Sequence, residues 1–235
     1  MNGPSRRLWL LVSPTLPVGG YSYSQGLEYA VSAGKVTDVS SARSWIIGLA
    51  RHLLPSVDLP VLLRLSAALR NDNQPEFARW NSLLLAMRET AELRMEDAAM
   101  GAALHRLLLK LDRNPNAELM LPNGTNTADH LHNLPEKLAF AAALAITGKL
   151  WAIDDNTLCD TCAWIWAENQ IAAAIKLVPL GHSDGQRLLL EVADELPALT
   201  AAATACSDDE LGMTASGLSL CSAAHETMPA RQFRS

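Results

Sequence analysis

Residues 157–178 read TLCDTCAWIWAENQIAAAIKLV, and this stretch decides the fold class. It holds no proline or glycine, and its apolar residues fall on nearly every side of a 3.6-residue helix. A helix apolar all round is a buried one. Asp154, Asp155 and Asn156 stand before it as N-cap candidates, and Pro179 with Gly181 ends it. The segment therefore reads as a central helix with the rest of the chain packed around it.

Working outward, the same logic yields more helices and no convincing strand. Downstream, Ser183 or Asp184 is expected to cap a helix running to about Leu196, where Pro197 stops it. Ser207 and Glu210 form a capping-box pattern, and a last helix spans about Ser216 to Glu226. Upstream, Pro135 is expected to open an alanine-packed helix through about Thr147. Residues 114–134 carry Pro115, Pro122 and Asn123-Gly124 and read as a flexible loop. Phe77, Trp80, Leu84, Met87, Ala91, Met95, Ala98, Ala102, His105 and Leu109 make one stripe, on one long helix or two abutting ones. The opposite face is charged, with Arg88 and Glu92 spaced for an i,i+4 pair. Asp38 caps a helix bearing Val39, Ala42, Ile46, Leu49 and Leu53; Pro55 to Pro60 breaks it, and Pro60 opens the next. The expectation is an all-α, single domain over 1–235, of roughly nine or ten helices.

Composition agrees and excludes several functions. Hydrophobic residues are 49% of the 235, charged residues 19% and aromatics 5%, a balance that favours a helical core. A net charge of −6 with no basic stripe argues against nucleic acid. Ser5-Arg6-Arg7 faintly resembles an export signal, but the apolar stretch Leu8–Val12 is too short for one. The most apolar stretch, Leu158–Val178, carries Asp160, Glu168 and Lys176 and is not a membrane span. Four cysteines without an export signal point to reduced thiols in a cytoplasm.

Catalytic hardware is sparse. No phosphate-binding G-x-x-x-x-G-K-[ST] occurs, and His225-Glu226 is not followed by the second histidine of H-E-x-x-H. Cys159 and Cys162 form a C-x-x-C, with His130 and His132 upstream. These four carry the alternative reading, a thiol- or metal-dependent enzyme. Two cysteines at i,i+3 on an apolar helix also serve as small core residues. The chain looks more like a helical binding protein than an enzyme, with no catalytic residue, metal site or cofactor expected.

The other informative stretch is residues 13–28, SPTLPVGGYSYSQGLE. Prolines and a Gly-Gly pair break the backbone, then a helix is expected from about Tyr23 to Ala33, with Ser22 and Gln25 as a capping box and Gly34 as its stop. Tyr21 and Tyr23 at this entry suggest a docking edge.

This run, KLVPLG at 176–181 followed by Gly185-Gln186, and HETMPARQFRS at 225–235 occur in the order found in one family. VDLP at 57–60 and RETAELR at 88–94 fit between them. The ordered set resembles the urease accessory protein UreF family over essentially the whole chain. The departures are His182 for a glutamine, and Pro229 and Gln232 for a tyrosine and a leucine. The resemblance implies an all-helical, cytoplasmic, dimerising protein without catalysis of its own. It implies a complex with UreD (also called UreH), the GTPase UreG and the urease apoprotein, in which GTP hydrolysis is regulated and coupled to nickel delivery. By the same resemblance, Tyr21, Ser22, Tyr23, Gln25, Glu28 and Lys176 would face partners. The flexible tail 225–235 would fold on UreD through His225, Glu226, Arg231, Phe233 and Arg234.

Overall fold

The computed structural model describes residues 7–112 and 134–235. Among them the chain is all-α, with no strand. Its helices are α1 (Leu8–Leu11), α2 (Leu27–Ser32), α3 (Val39–His52), α4 (Leu59–Arg70), α5 (Gln74–Ala86) and α6 (Ala91–Asp112). There follow α7 (Phe140–Trp151), α8 (Asp155–Leu177), α9 (His182–Ala205) and α10 (Ser216–His225). The loop expected at 114–134, with His130 and His132, lies almost wholly outside the described residues.

The central helix is where the sequence puts it. α8 begins at the Asp154 cap, whose carboxylate accepts from the Thr157 N–H at 3.0 Å. From Thr157 to Ile175 none of its residues is exposed. It packs on α1, α2, α3, α4, α7 and α9. α7 nests against α4 and α6 through buried Ala141, Ala142, Ala143 and Ala145, which keep the axes close.

Several boundaries differ from expectation, each for a physical reason. Pro55 does not break the chain after α3; a π-helical turn, Leu54–Asp58, carries it into α4, with Ser56 Oγ donating to the His52 carbonyl at 2.6 Å. The resulting run Val39–Arg70 is long and apolar enough to span a membrane, yet 61% of its most apolar window is buried inside the fold, as in a core helix. Pro197 does not stop α9. It sits on the exposed side, where the carbonyl left without a donor meets water. Pro135 does not open α7, because the cap comes from elsewhere: Asn81 Oδ1 accepts from Ala139 N–H at 2.9 Å and Asp97 Oδ1 from Phe140 N–H at 2.7 Å.

The long stripe is two helices, and it changes phase between them. Phe77, Trp80 and Leu84 are buried on α5, but Ala91 and Met95 are exposed on α6, where Glu92, Leu93, Glu96 and Asp97 turn inward. Arg88, in the break, leaves Glu92 alone and pairs with Asp58 and Asp97; the three side chains are 16%, 14% and 6% exposed. Burial works against the Arg88 charge, but its two carboxylates hold it well above the usual guanidinium range.

Removing one member of a buried ion group strands the others. Arg88→Met is expected to cost about 3–5 kcal/mol in urea unfolding. Adding Asp58→Asn and Asp97→Asn should recover part of that loss.

Candidate partner-docking site

The run at 16–28 folds around two close backbone approaches. Gly20 lies against Asn169 of α8; a Cβ there would meet the Asn169 Nδ2 at 2.2 Å. Gly26, at φ +75°, lies against α10, where a Cβ would come within 2.8 Å of the Ser222 nitrogen. Gln25 is also left-handed, at φ 51°. The expected Ser22–Gln25 capping box does not form, since a left-handed pair cannot start a helical turn. α2 begins only at Leu27, and Ser24 Oγ accepts from the Glu28 N–H at 3.3 Å. Gln25 turns inward instead. Its oxygen accepts from Trp166 Nε1 (2.9 Å) and Gln170 Nε2 (3.2 Å), and its nitrogen donates to Glu96 (2.7 Å).

Glu28 then organises the far end of the chain. One oxygen accepts from the Gln232 N–H at 2.7 Å, the other from the Phe233 N–H at 2.9 Å and from His225 Nε2 at 3.0 Å. The opposite ring nitrogen of His225, fully buried, meets Glu92 at 2.7 Å. Glu92 also takes Arg231, and its N–H donates to the Glu226 carboxylate at 3.1 Å. Burial pushes the Glu28 carboxyl up, but the Gln232 amide, the His225 ring and the Phe233 amide outweigh it and leave Glu28 below the usual range.

A second strap lies alongside. Ser24 donates from both N–H (2.7 Å) and Oγ (2.6 Å) to the Ser235 carbonyl, the Arg234 N–H donates to the Ser22 carbonyl at 2.9 Å, and Ser235 Oγ donates to Glu96 at 2.7 Å. Glu96 is fully buried with neutral donors nearest, and burial raises its carboxyl to about 7. Residues 231–235 are thus laid into the protein's own α2–α6–α10 surface, where the sequence suggested a tail left free for a partner. Phe233 and Ser235 are buried.

The structure brings together all eleven residues singled out, but gives them two roles. Tyr23, Gln25, Glu28, His225 and Phe233 point inward or are largely covered and hold the segments to one another. Tyr21 (59% exposed), Lys176, Glu226, Arg231 and Arg234 face outward, with Ser22 half-buried between them. Lys176 Nζ stands 5.9 Å from the Tyr21 ring centre and 5.3 Å from that of Phe233. Among the described residues, Lys176 and Arg234 have no ion-pair partner. Sequence reasoning missed Ser24, Glu92, Glu96 and Ser235. The two glutamates on α6 carried a signal: like charges at i,i+4 repel, so each needs a partner elsewhere.

Cys159 lies in the core, and Cys162 borders an internal cavity that Gln25, Arg88 and Glu96 also line. Burial pushes the Cys159 thiol to about 12 and Cys162 well above its usual range. Both stay protonated at neutral pH and fill space, which counts against a free thiolate nucleophile there; His130 and His132, the other half of that reading, lie outside the described residues.

Glu96 gives the site a pH dependence of definite sign. Its folded value lies above its unfolded one, so the folded state is favoured while Glu96 is protonated and loses stability as pH rises from about 4.5 to about 7. Glu96→Gln removes the charge; its oxygen still accepts from Gln25, and its amide nitrogen donates to a reoriented Ser235 hydroxyl. It is expected to unfold at a higher temperature than the parent at pH 8, by an amount worth at most roughly 3 kcal/mol, and to differ little at pH 5. Thermal unfolding at the two pH values checks this.

The UreF family model matches residues 36–193. The urease accessory protein UreF of Alkalilimnicola ehrlichii is 44% identical over 231 residues, covering 98% of this chain and 95% of that protein. That of Teredinibacter turnerae is 40% identical over 235 residues, covering the whole of both. That of Azoarcus sp. is 41% identical over 232 residues, 99% of this chain and 96% of that protein. On the family match and on these full-length similarities, the chain belongs to the UreF family of urease accessory proteins.

Proposed function

We propose that this protein is a non-catalytic assembly factor for urease. In this reading it works in the cytoplasm as a homodimer, bridges UreD (UreH) and the GTPase UreG on the urease apoprotein, and regulates GTP hydrolysis so that nickel is released only into a correctly assembled complex. The relatives' name, urease accessory protein, supports the urease connection. Nickel is cargo here, and no resident metal or cofactor enters the mechanism.

The observation that carries the reading is the meeting of three sequence-distant segments at one face. The 16–28 run, the end of α8 and residues 225–235 meet where exposed Tyr21 and Lys176 lie over the buried Phe233 ring. A protein of net charge −6 there presents two unpaired cations, Lys176 and Arg234, beside an aromatic ring. Arg231, although bound to Glu92, is itself exposed at the same edge. Aromatic and basic side chains of this kind anchor protein interfaces and steer acidic partners. The buried hydrogen bonds beneath hold the cluster in place before a partner arrives, which lowers the ordering cost of docking.

Deleting the gene is expected to abolish most nickel-dependent urease activation, and the intact gene to restore it. Lys176→Ala and Tyr21→Ala, both outside the core, should fold normally and restore at most about a tenth of the activity, the loss of about 1.4 kcal/mol of binding. Full activation without the protein would overturn the reading. Full activation by both variants would remove the Tyr21–Lys176 face from it.

A further inference from the structure

The three buried glutamates that meet residues 231–235 are not provided for alike. Glu28 accepts from two backbone amides, at 2.7 and 2.9 Å, and Glu92 holds Arg231. Among the described residues Glu96 has no cation of its own. One of its oxygens accepts from Gln25 Nε2 and the other from Ser235 Oγ, each at 2.7 Å. A hydroxyl both donates and accepts, so the Ser235 contact survives protonation of Glu96: the acid hydrogen then donates to Ser235 Oγ. What changes with the proton is the cost of burial, which is small for a neutral carboxyl and large for a carboxylate.

The charged and titratable groups around Glu96 are already committed. Arg88, in the α5–α6 break, is held by Asp58 of the π-helical turn and by Asp97 of α6. Glu92, one turn back on α6, is met by Arg231 and by His225 of α10, which also meets Glu28 of α2. Cys162 of α8 lines the internal cavity of about 60 Å³ that Glu96 borders. Burial is the largest influence on Glu96 and opposes its ionisation, as does Asp97; the Ser235 and Gln25 hydrogen bonds and the Arg88 charge favour it.

The two sides of Glu96 differ in how easily they open. Gln25 is locked to α8 through Trp166 and Gln170. Residues 234 and 235 are held by groups at the surface of the entry run: the Arg234 N–H donates to the Ser22 carbonyl, and the Ser24 N–H and Oγ donate to the Ser235 carbonyl. Water can replace each of these partners when the segment lifts. Residues 231–233 stay anchored by Glu92, by Glu28 and by the buried Phe233 ring.

We propose that residues 234 and 235 are a pH-operated latch on Glu96, closed while its carboxyl is protonated and lifted to let water in when it ionises, with 231–233 as the fixed hinge. The sign follows from the raised carboxyl: the closed form is fully favoured below about 4.5 and loses ground as pH rises to about 7. Arg234 is one of the two unpaired cations of the docking face, so the latch fixes that cation in place only on the acidic side of neutrality. This consequence rests on the docking reading of the face; the latch itself does not.

Amide hydrogen exchange of the full chain, resolved by residue and corrected for the intrinsic rate at each pH, tests the latch. The Arg234 and Ser24 amides are expected to lose at least about tenfold of their protection between pH 5 and pH 8, while the Phe233 amide, held by Glu28, changes by less than about threefold. Glu96→Gln is expected to keep the Arg234 amide protected at both pH values, with the α8 amides reporting that the variant is folded. Should it not fold, Ser235→Ala is read in its place, and is expected to lower Arg234 protection at pH 5 towards the parent's pH 8 value while Phe233 stays protected. An Arg234 amide equally protected at both pH values overturns the proposal, because water entering the cavity beside Gln25 then relieves the charge. An Arg234 amide that opens together with Phe233, that is unprotected already at pH 5, that keeps its pH response in Glu96→Gln or that is unchanged by Ser235→Ala overturns it as well. Neither urease nor a partner is present, so failure of the latch and failure of the urease reading remain distinguishable.

Discussion

Three glutamates taken out of water set the terms for the rest of this structure. Glu28 on α2 and Glu92 and Glu96 on α6 are 8%, 4% and 5% exposed. A buried carboxylate is tolerated only when donors or a counter-charge meet it. No nearby stretch of chain supplies enough of either. The donors come from Gln25, from His225 at the end of α10, and from residues 231–235. Satisfying the carboxylates therefore brings the first turn of the fold, the middle of α6 and the last residues of the sequence to one place. Glu92 is met by the Arg231 charge, Glu28 by two backbone amides and the His225 ring, and Glu96 by neutral groups.

The helix scaffold makes that convergence possible. α8 is wrapped on all sides, and its exit at Leu177 presents Lys176 where the entry run and residues 231–235 cross. α7 lies in a nest of alanines and is capped by Asn81 and Asp97 of its neighbours. Asp97 also belongs to the buried ion group of Arg88, so the group that tolerates charge in the core is the one that positions a helix start. Above this rigid base, Tyr21, Lys176 and Arg234 stand out as a small basic and aromatic face on an acidic protein. Fixed groups beneath and exposed groups above are what a docking face needs, because little order remains to be imposed on binding.

Much of this was legible in the chain. The central helix, its Asp154 cap, the Asp38 cap, the Ser207–Glu210 box and the last helix are local features, set by periodicity and by hydrogen bonds within a few residues. The failures share one cause. Pro55 and Pro197 were expected to end helices, and the Ser22–Gln25 spacing to begin one; each was decided by what packs nearby or by which side faces water. The stripe from Phe77 to Leu109 has one phase in the sequence and two in the fold, because the break at 87–90 rotates α6 and turns its acidic face inward. Of the candidate site, the sequence named residues that lie near one another but not which of them are covered. Tyr21 and Lys176 face outward as expected, while Glu28, His225 and Phe233 are buried where an exposed surface was expected.

The sequence by itself determined the all-helical class and the buried central helix, because helix period, capping and composition act over a few residues at a time, while the segments of interest were picked out by the family resemblance. Only the tertiary structure decided which of those residues touch, which are covered and which carry an unpaired charge. Burial and ion pairing join positions far apart in the chain: Glu28 and His225 are 197 residues apart yet 3.0 Å from atom to atom. No local pattern records that distance. The donors to Glu28, the burial of Phe233 and the hydrogen bonds of Arg234 and Ser235 together offset the entropy lost in ordering residues 231–235.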